Sequence, residues 1–125
     1  MAETSLPGAI ARKHLQKRFW IIFSDPVEGA GDRRPVHPQH LAHQYDLEAR
    51  GILFAAGPFL GDDDKPYGPG MIIIRADSEA QARAIADADP YHAPGFRKYR
   101  LQRWSMNEGT LGLRLNFSNG EFSLD

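Results

Sequence analysis

The sequence predicts an α+β domain of the ferredoxin-like type, a split βαβ plan with the element order β-α-β-β-α-β. Four runs rich in aromatic and branched apolar residues are typical of strands. Two segments with the spacing of an amphipathic helix separate the first strand from the second and the third from the fourth. After the last strand, a strictly alternating segment predicts an additional C-terminal β-hairpin.

Two of the predicted strands are apolar on both faces. In the run RFWIIF, the residues that point to one face of the strand and those that point to the other are both apolar. In the run MIIIRA, no polar residue occurs before Arg75. Both runs are therefore expected to be interior strands. The predicted strands span residues 18–23, 52–59, 71–76 and 96–104, and the predicted exposed loops span 24–38 and 60–70.

The two helices are predicted from their ends and their apolar positions. The first begins near Pro38, because proline is favoured at the first helical position, and ends before Gly51, a residue favoured as a C-terminal cap. The second spans residues 78–88, where Ser78 and Gln81 form a capping box. Its predicted inner stripe consists of Ala80, Ala84, Ala88 and Ile85.

The C-terminal segment, residues 110–125, is predicted to form a hairpin. Asn119-Gly120 is a strong signal for a two-residue turn, since both positions tolerate a positive φ, and such a turn fixes the register. Because an isolated hairpin is only marginally stable, its apolar face is expected to be buried on the domain or on a partner subunit. The predicted cross-strand pairs on that face are Phe117 with Phe122 and Leu115 with Leu124.

Composition excludes several classes of protein. The chain of 125 residues fits one domain, and its 42% hydrophobic and 25% charged content is that of an ordinary globular protein. It has no cysteine, which excludes a disulfide framework, a thiolate metal site and a cysteine nucleophile.

Charge and hydropathy indicate neither nucleic-acid binding nor membrane insertion. The formal net charge is −1, without the basic excess typical of nucleic-acid binding. One basic cluster, residues 12–18, is interpreted as the solvated face of a short terminal helix. No apolar run approaches the ~18 residues of a membrane span, and the N terminus lacks the apolar region of a signal peptide. We therefore expect a cytoplasmic protein without nucleic-acid or membrane partners.

A polar stripe on the first helix is the first candidate for a functional site. Because successive helical residues turn by ~100°, one side of this helix carries four residues: His40, His43, Gln44 and Leu47. A helix on a sheet normally buries aliphatic residues there. A metal site of His37, His40 and His43 is one alternative, although the drift of ~60° per step works against convergence on one ion. A histidine bonded to a backbone carbonyl is another.

Asp89 is the second candidate. It ends the second predicted helix directly before Pro90. An Asp in this position often forms a turn, but the helix dipole disfavours a carboxylate there, and a nearby imidazolium would offset that cost. In a split βαβ fold both helices lie on one face of the sheet, so a histidine and a carboxylate from the two helices can meet. His92, farther along the turn, is expected to be exposed.

Two stretches, in this order, resemble the YciI-like, or YCII-related, protein family. The first is HPQHLAHQYDLEARGILFAAGPF, with His40, Gly51 and Ala56-Gly57-Pro58. The second is ADADPYHAPGF followed by YRLQRW, with Asp89-Pro90-Tyr91. The resemblance implies a single domain over residues 1–125, with a core at about 18–105, an N-terminal extension at 1–17 and a C-terminal hairpin extension at 106–125.

The resemblance also implies a site and an assembly. The fold would be that of the dimeric α+β barrel group, so a homodimer that associates through its sheets is expected. A His–Asp pair in a pocket would be formed here by His40 and Asp89 as catalytic residues. Tyr91, on the turn after Asp89, and His43 and Gln44, on the stripe of His40, are expected to contact a small-molecule ligand. No metal or cofactor is expected, because such a pair moves protons by itself.

Two functions of different classes are compatible with these residues. The first is a cofactor-independent lyase or isomerase acting on a small oxygenated or aromatic-derived molecule, with His40 as general base or acid. Relatives in the family and its superfamily include a dehydrochlorinase of a chlorinated hydroxyhydroquinone and muconolactone isomerases. The second is a non-catalytic binding protein of the same fold, in which His40 and Asp89 only hold an acidic or phenolic ligand.

Overall fold

The structure is a computed structural model that describes residues 14–125. Residues 18–105 form one compact unit, and the hairpin belongs to a second unit. The elements, in chain order, are β1 (Lys17–Pro26), a 3₁₀ helix (Arg34–Val36), α1 (His37–Ala49), β2 (Leu53–Leu60), β3 (Pro66–Ile74), α2 (Glu79–Asp87), β4 (Arg97–Met106), β5 (Leu113–Leu115) and β6 (Phe122–Leu124).

Strands β1 to β4 form one sheet in the order β2-β3-β1-β4. β3 lies between β2 and β1 and is antiparallel to both. Its register with β1 runs from Trp20 opposite Ile74 to Ser24 opposite Gly70. Together with the two helical crossovers, this is the split βαβ arrangement, so the predicted ferredoxin-like α+β fold is confirmed.

Both helices cover the same face of the sheet. Ile72 belongs to the buried cluster under α2 and also lines the cavity beneath α1, which places the two helices on one side. The alanines of α2 allow that helix to lie close to the strands. The buried residues of this cluster are Trp20, Ile22, Ile72, Ile74, Ala82 and Ala86.

The inner side of α2 differs from the prediction. Ala82 and Ala86 are the buried residues of this helix, and Asp89, 2% exposed, continues their line. Both the predicted and the observed sets have the i, i+4 spacing of a helical stripe. Because positions 80, 84 and 88 are alanines as well as 82 and 86, spacing could not distinguish the two sets, although Ile85 of the predicted stripe does pack against the cluster. The alanines of the predicted stripe are exposed: Ala80, Ala84 and Ala88.

The sheet face opposite the helices is also apolar. Phe19 and Ile21 of β1 are buried there. Cationic side chains lie over neighbouring rings, with the Arg75 guanidinium 5.5 Å from the Phe19 centroid and the Arg100 guanidinium 4.1 Å from that of Phe23. β1 is thus covered on both faces, as predicted for an interior strand.

β3 begins earlier than predicted, at Pro66 rather than at residue 71. It pairs with β1 from Gly70 onward, so Pro66 and Pro69 lie where β3 is bordered by β2 alone among the described pairings. Proline is tolerated at such positions because its missing N–H has no partner strand to bond. The prolines and glycines of this segment made it resemble a loop.

The C-terminal hairpin is present, but its register differs from the prediction. The Asn116 N–H donates to the Glu121 carbonyl at 2.9 Å and closes a turn over residues 117–120. Gly120 adopts a φ of +70° in that turn, a conformation that glycine accepts without strain. The turn is longer than the predicted one, so each strand pairs with a different partner. The observed pairs are Leu113–Leu124, Arg114–Ser123 and Leu115–Phe122.

Two aromatic side chains of the hairpin have large exposed fractions, 96% for Phe117 and 68% for Phe122. Their burial on the domain or on a partner subunit stays a prediction.

The N-terminal residues 1–13 lie outside the described part of the chain, and with them most of the predicted N-terminal extension. The terminal helix predicted over 12–18 is wrong for the residues that can be compared, because 14–16 form no helix and Lys17 begins β1. Between residues 14 and 125, no helix has both the length and the apolar character needed to cross a membrane.

Candidate active site

His40 and Asp89 reach the site from the two helices. α1 carries His40 on its inner side and ends where Gly51 adopts a φ of +72°, which turns the chain toward β2. Ser78 caps α2, since its hydroxyl accepts a hydrogen bond from the Gln81 N–H at 3.1 Å. The predicted helix signals are therefore confirmed, and Asp89 follows the last turn of α2.

The His40 ring and the Asp89 carboxylate are in direct contact. Nδ1 of His40 lies 2.9 Å from Oδ1 and 3.0 Å from Oδ2 of Asp89. The two side chains are 16% and 3% exposed, respectively, so little water reaches the contact. Because a carboxylate only accepts, Nδ1 carries the proton. Nε2 is left available to a ligand, since no group within residues 14–125 hydrogen-bonds to it.

Asp89 carries a negative charge in spite of its burial. Burial acts to raise the pKa of this carboxyl, but hydrogen bonds from His40 and from the Tyr91 N–H, together with nearby histidine charges, outweigh it. The net result is a pKa below the ordinary value. The bond from the Tyr91 N–H to Oδ1 measures 2.9 Å. The carboxylate is therefore placed to stabilise positive charge on the His40 ring.

Tyr91 restricts the orientation of the His40 ring. The two ring centroids are 4.2 Å apart and the planes differ by 21°. The Tyr91 hydroxyl lies 2.5 Å from Nδ1 of His37. Burial raises the pKa of Tyr91 more than the charges of Arg33 and Arg97 lower it. The hydroxyl is therefore neutral near pH 7 and can either donate or accept a proton.

A cavity of about 660 Å³ lies between α1 and the β2–β3 hairpin. This volume is within the range of small-molecule sites. Asp89 lies behind His40, which lines the cavity. The apolar wall includes Leu53, Phe54, Ala55, Ala56, Met71 and Ile72. The polar wall includes Arg33, His37, His40, Gln44, Tyr91 and Arg97.

Of the three residues expected from the sequence to contact a ligand, the structure places two at the cavity. Tyr91 and Gln44 line it, and His43 does not. The helical repeat explains the difference, because Gln44 lies ~40° to one side of His40 and His43 ~60° to the other. Cavity-lining residues such as Leu41 continue on the side of Gln44. The structure therefore leaves His43 half-buried but away from the cavity.

The sequence left open a metal site and a bond to a backbone carbonyl as alternatives for the histidines of α1, and the observed contacts bear on both. His40 bonds a carboxylate rather than a backbone carbonyl. His37 bonds the Tyr91 hydroxyl, so these two neighbours on α1 have different partners. Across residues 14–125, no three or more His, Asp or Glu side chains are grouped so that they could hold a metal ion.

Sequence reasoning missed a buried chain of hydrogen bonds next to the cavity. His92, expected to be exposed, is 9% exposed. Its Nδ1 donates to the Ala86 carbonyl at 2.7 Å, so its Nε2 accepts from the Ser24 hydroxyl, also at 2.7 Å. Arg97 Nε in turn donates to Ser24 Oγ at 2.8 Å. Ser24 and His92 are 68 residues apart, and no local pattern links them.

The compact unit coincides with a domain of one protein family. A sequence model of the YCII-related domain matches residues 18–105. The chain belongs to the YCII-related family. The family protein YciI of Escherichia coli O6:H1 and that of Shigella flexneri are each 33% identical over 87 residues, covering 65% of this chain and 89% of the relative.

A solved structure of similar fold is that of an enzyme. It is 5-chloro-2-hydroxyhydroquinone dehydrochlorinase from Burkholderia phenoliruptrix, in complex with 2,5-dihydroxybenzoquinone. The TM-score is 0.57 at 25% sequence identity, and the match covers 69% of this chain and 92% of the enzyme chain. The family and the fold expected from the sequence are thus confirmed, and this YCII-related chain shares its fold with a lyase.

Proposed function

We propose that this YCII-related protein is a cofactor-independent enzyme of the lyase or isomerase type, which moves a proton on a small oxygenated ring. The observation that carries the proposal is the His40–Asp89 contact at the wall of the cavity, with both carboxylate oxygens on Nδ1. A general base needs a fixed ring, a defined tautomer and a free nitrogen. His40 has all three.

In the proposed mechanism, Nε2 of His40 takes a proton from a ring carbon that is acidified by a neighbouring carbonyl or hydroxyl group. The Asp89 carboxylate stabilises the imidazolium that forms, and the stacked Tyr91 ring holds its plane. In an elimination, the electrons of the broken C–H bond form a C=C bond, and the leaving group departs with its own electron pair. In an isomerisation, His40 returns the proton to a different carbon.

The fold comparison supports the lyase class. The dehydrochlorinase of similar fold acts on a hydroxylated ring and is seen with a dihydroxybenzoquinone. In this protein, an apolar wall from β2 and β3 faces α1 across a cavity large enough for a ring of that size. A substrate with a small oxygenated ring is therefore the first class to screen.

The experiment is a double-mutant cycle on turnover. Chlorinated and unchlorinated hydroxyquinols and small lactones are screened for conversion by the wild-type protein. His40→Ala and Asp89→Asn are each expected to lower the rate by ~10²–10⁴-fold, the range of general acid–base effects. The rate of the double variant should be only slightly lower than that of either single variant, because the two residues would act as one unit. His43→Ala is the matched control on the same helix, and it should retain activity.

Two outcomes would reject the proposal. The first is that the losses of rate in the cycle are additive, or that melting curves attribute them wholly to unfolding. Either finding would show that His40 and Asp89 do not act as a catalytic pair. Saturable binding of the screened compounds without any conversion would favour the non-catalytic binding protein instead.

A further inference from the structure

Arg33 lines the cavity and has no ion-pair partner among residues 14–125. Its neighbour in sequence, Asp32, is occupied by Arg34, whose Nε and Nη2 each donate to that carboxylate at 2.9 Å. No carboxylate of residues 14–125 forms a salt bridge with Arg33. The side chain is nevertheless half-buried at the cavity wall. A guanidinium at the cavity wall whose N–H groups are not taken by a carboxylate can pair with an anionic group that enters the cavity.

A second guanidinium makes the same end of the cavity positive. Arg97 donates only to neutral oxygens there, at 2.8 Å to Ser24 Oγ, 2.7 Å to the Ser24 carbonyl and 2.6 Å to the Gly68 carbonyl. Burial lowers the pKa of Arg97, and repulsion by Arg33 acts in the same direction. The acidic residue that lines the cavity, Glu48, is about 16 Å farther along α1 than His37, at 1.5 Å per residue.

Gln44 supplies an independent sign of a missing ligand. Its side chain is 8% exposed, and its Oε1 has no hydrogen-bond partner within residues 14–125. The residue lines the cavity on the same side of α1 as Leu41. A buried amide oxygen without a donor lowers stability, so a turn of the Gln44 side chain toward the cavity, where a ligand hydroxyl donates to the oxygen, is favourable.

We propose that the cavity binds a ring compound carrying a carboxylate, which pairs with Arg33, and a hydroxyl, which donates to Gln44. The planar guanidinium matches a carboxylate with two parallel hydrogen bonds. The apolar wall of β2 and β3 accepts the ring. The proposal adds a substrate class to the proposed function, and it rests on that function only for the role of His40.

The test compares benzoate with benzamide, which has a similar shape and no charge, by NMR chemical-shift titration of the full chain. Wild-type protein should bind benzoate more tightly. Arg33→Gln should weaken benzoate by at least ~10-fold, the loss expected for one charged hydrogen-bonded pair, and leave benzamide within about twofold. The matched control is Arg83→Gln, because the Arg83 side chain is 52% exposed, pairs with Glu79 on α2 and does not line the cavity. This control should bind both probes like the wild type.

The hydroxyl contact is tested with the three isomers of hydroxybenzoate. At least one isomer should bind more tightly than benzoate, and Gln44→Leu, which is close in size, should abolish that gain while retaining benzoate binding. A gain that survives in Gln44→Leu, or no gain with any isomer, would overturn the assignment of the hydroxyl to Gln44.

The carboxylate site would be overturned by three results: no benzoate binding by the wild type, an equal loss of both probes in Arg33→Gln, or a similar loss of benzoate binding in Arg83→Gln. These are equilibrium measurements and do not require turnover. A protein that binds benzoate through Arg33 but converts no substrate would reject the enzyme and leave the carboxylate site standing.

Discussion

Asp89 is held as a charged group in the least exposed part of the site. Its carboxylate accepts from the His40 ring and from the Tyr91 N–H, and these bonds keep its pKa low although burial opposes ionisation. Loss of the charge would leave His40 without its partner. Stability and function are therefore coupled at this one residue.

Asp89→Asn is expected to lower the free energy of unfolding at pH 7 by about 1.5–3 kcal/mol, the range for hydrogen bonds to a charged group. Because the folded pKa is lowered, this contribution is present above the unfolded pKa of ~3.9 and is lost as pH falls through the folded value. Urea denaturation of both proteins should show a difference that shrinks from pH 7 to pH 3. A constant difference would contradict this account.

Whereas the site favours the charged form of Asp89, the surroundings of His92 favour its neutral ring. Burial lowers its pKa more than the bond to the Ala86 carbonyl raises it. With Nδ1 donating and Nε2 accepting, the neutral ring satisfies both Ala86 and Ser24. Protonation of Nε2 would remove the acceptor that holds the Ser24 hydroxyl.

A pH dependence of stability follows from His92. The unfolded histidine takes up a proton near pH ~6.5, whereas the folded one does so only at a lower pH. The unfolded state thus binds more protons in that window, and stability falls as pH decreases from ~6.5 to the folded pKa. His92→Gln, which keeps a donor and an acceptor, should remove this component. Urea midpoints from pH 8 to pH 5 measure it, and an unchanged slope in the variant would reject the assignment.

At the scale of elements, α2 holds Asp89 in place through small residues. Ala82 is 0% exposed and Ala86 is 1% exposed, and both belong to the cluster that joins α2 to the sheet. Interiors are packed as densely as organic crystals, so no space remains for a larger side chain there. The position of the helix end, and with it of Asp89, depends on this fit.

Ala82→Leu is therefore expected to destabilise the protein by about 1–3 kcal/mol through overpacking. Ala80→Leu is the matched control, because Ala80 is on the same helix and exposed. It should change stability by less than about 0.5 kcal/mol. Chemical denaturation measures both variants. Similar effects at the two positions would show that helix propensity, rather than contact with the sheet, dominates.

In the assembled domain, both helices of residues 14–125 cover one face of the sheet, and within these residues the opposite face has no helical layer. Phe54, 40% exposed, contacts Phe19 on that opposite face at a centroid distance of 4.6 Å. Half-buried Phe23 and Phe59 stack at 6.5 Å on the same sheet. Such an apolar surface is typical of a subunit interface.

We expect a homodimer that associates through this face. Light scattering coupled to gel filtration should give twice the mass of the 14.0 kDa chain at micromolar concentration. Phe54→Asp should shift the protein toward the monomer. Ala80→Asp, at an exposed position of α2 on the helical side of the sheet, is the comparison variant and should leave the dimer intact. A monomeric wild type, or equal dissociation of Ala80→Asp, would contradict the expected interface.

Most of the elements of the core, and the residues of the His–Asp pair, could be predicted from the sequence. Local signals are sufficient for this, because caps and turns act within a few residues: Ser78 with Gln81 begins α2, and Gly51 ends α1. The order of the elements then implies two helices on one face. The motifs around His40 and Asp89 indicated the family, and the fold brings these two side chains together.

The neighbours of that pair, in contrast, depend on how the elements pack in three dimensions. Gln44 and His43 lie on opposite sides of His40 on α1, and the position of the β2–β3 hairpin places only Gln44 at the cavity. Ser24, His92 and Arg97 meet across separations of 68 and 73 residues. Such contacts depend on how the elements are packed, which no local spacing encodes. The same holds for Arg33, whose position at the cavity wall depends on how the loop before α1 packs against the rest of the site.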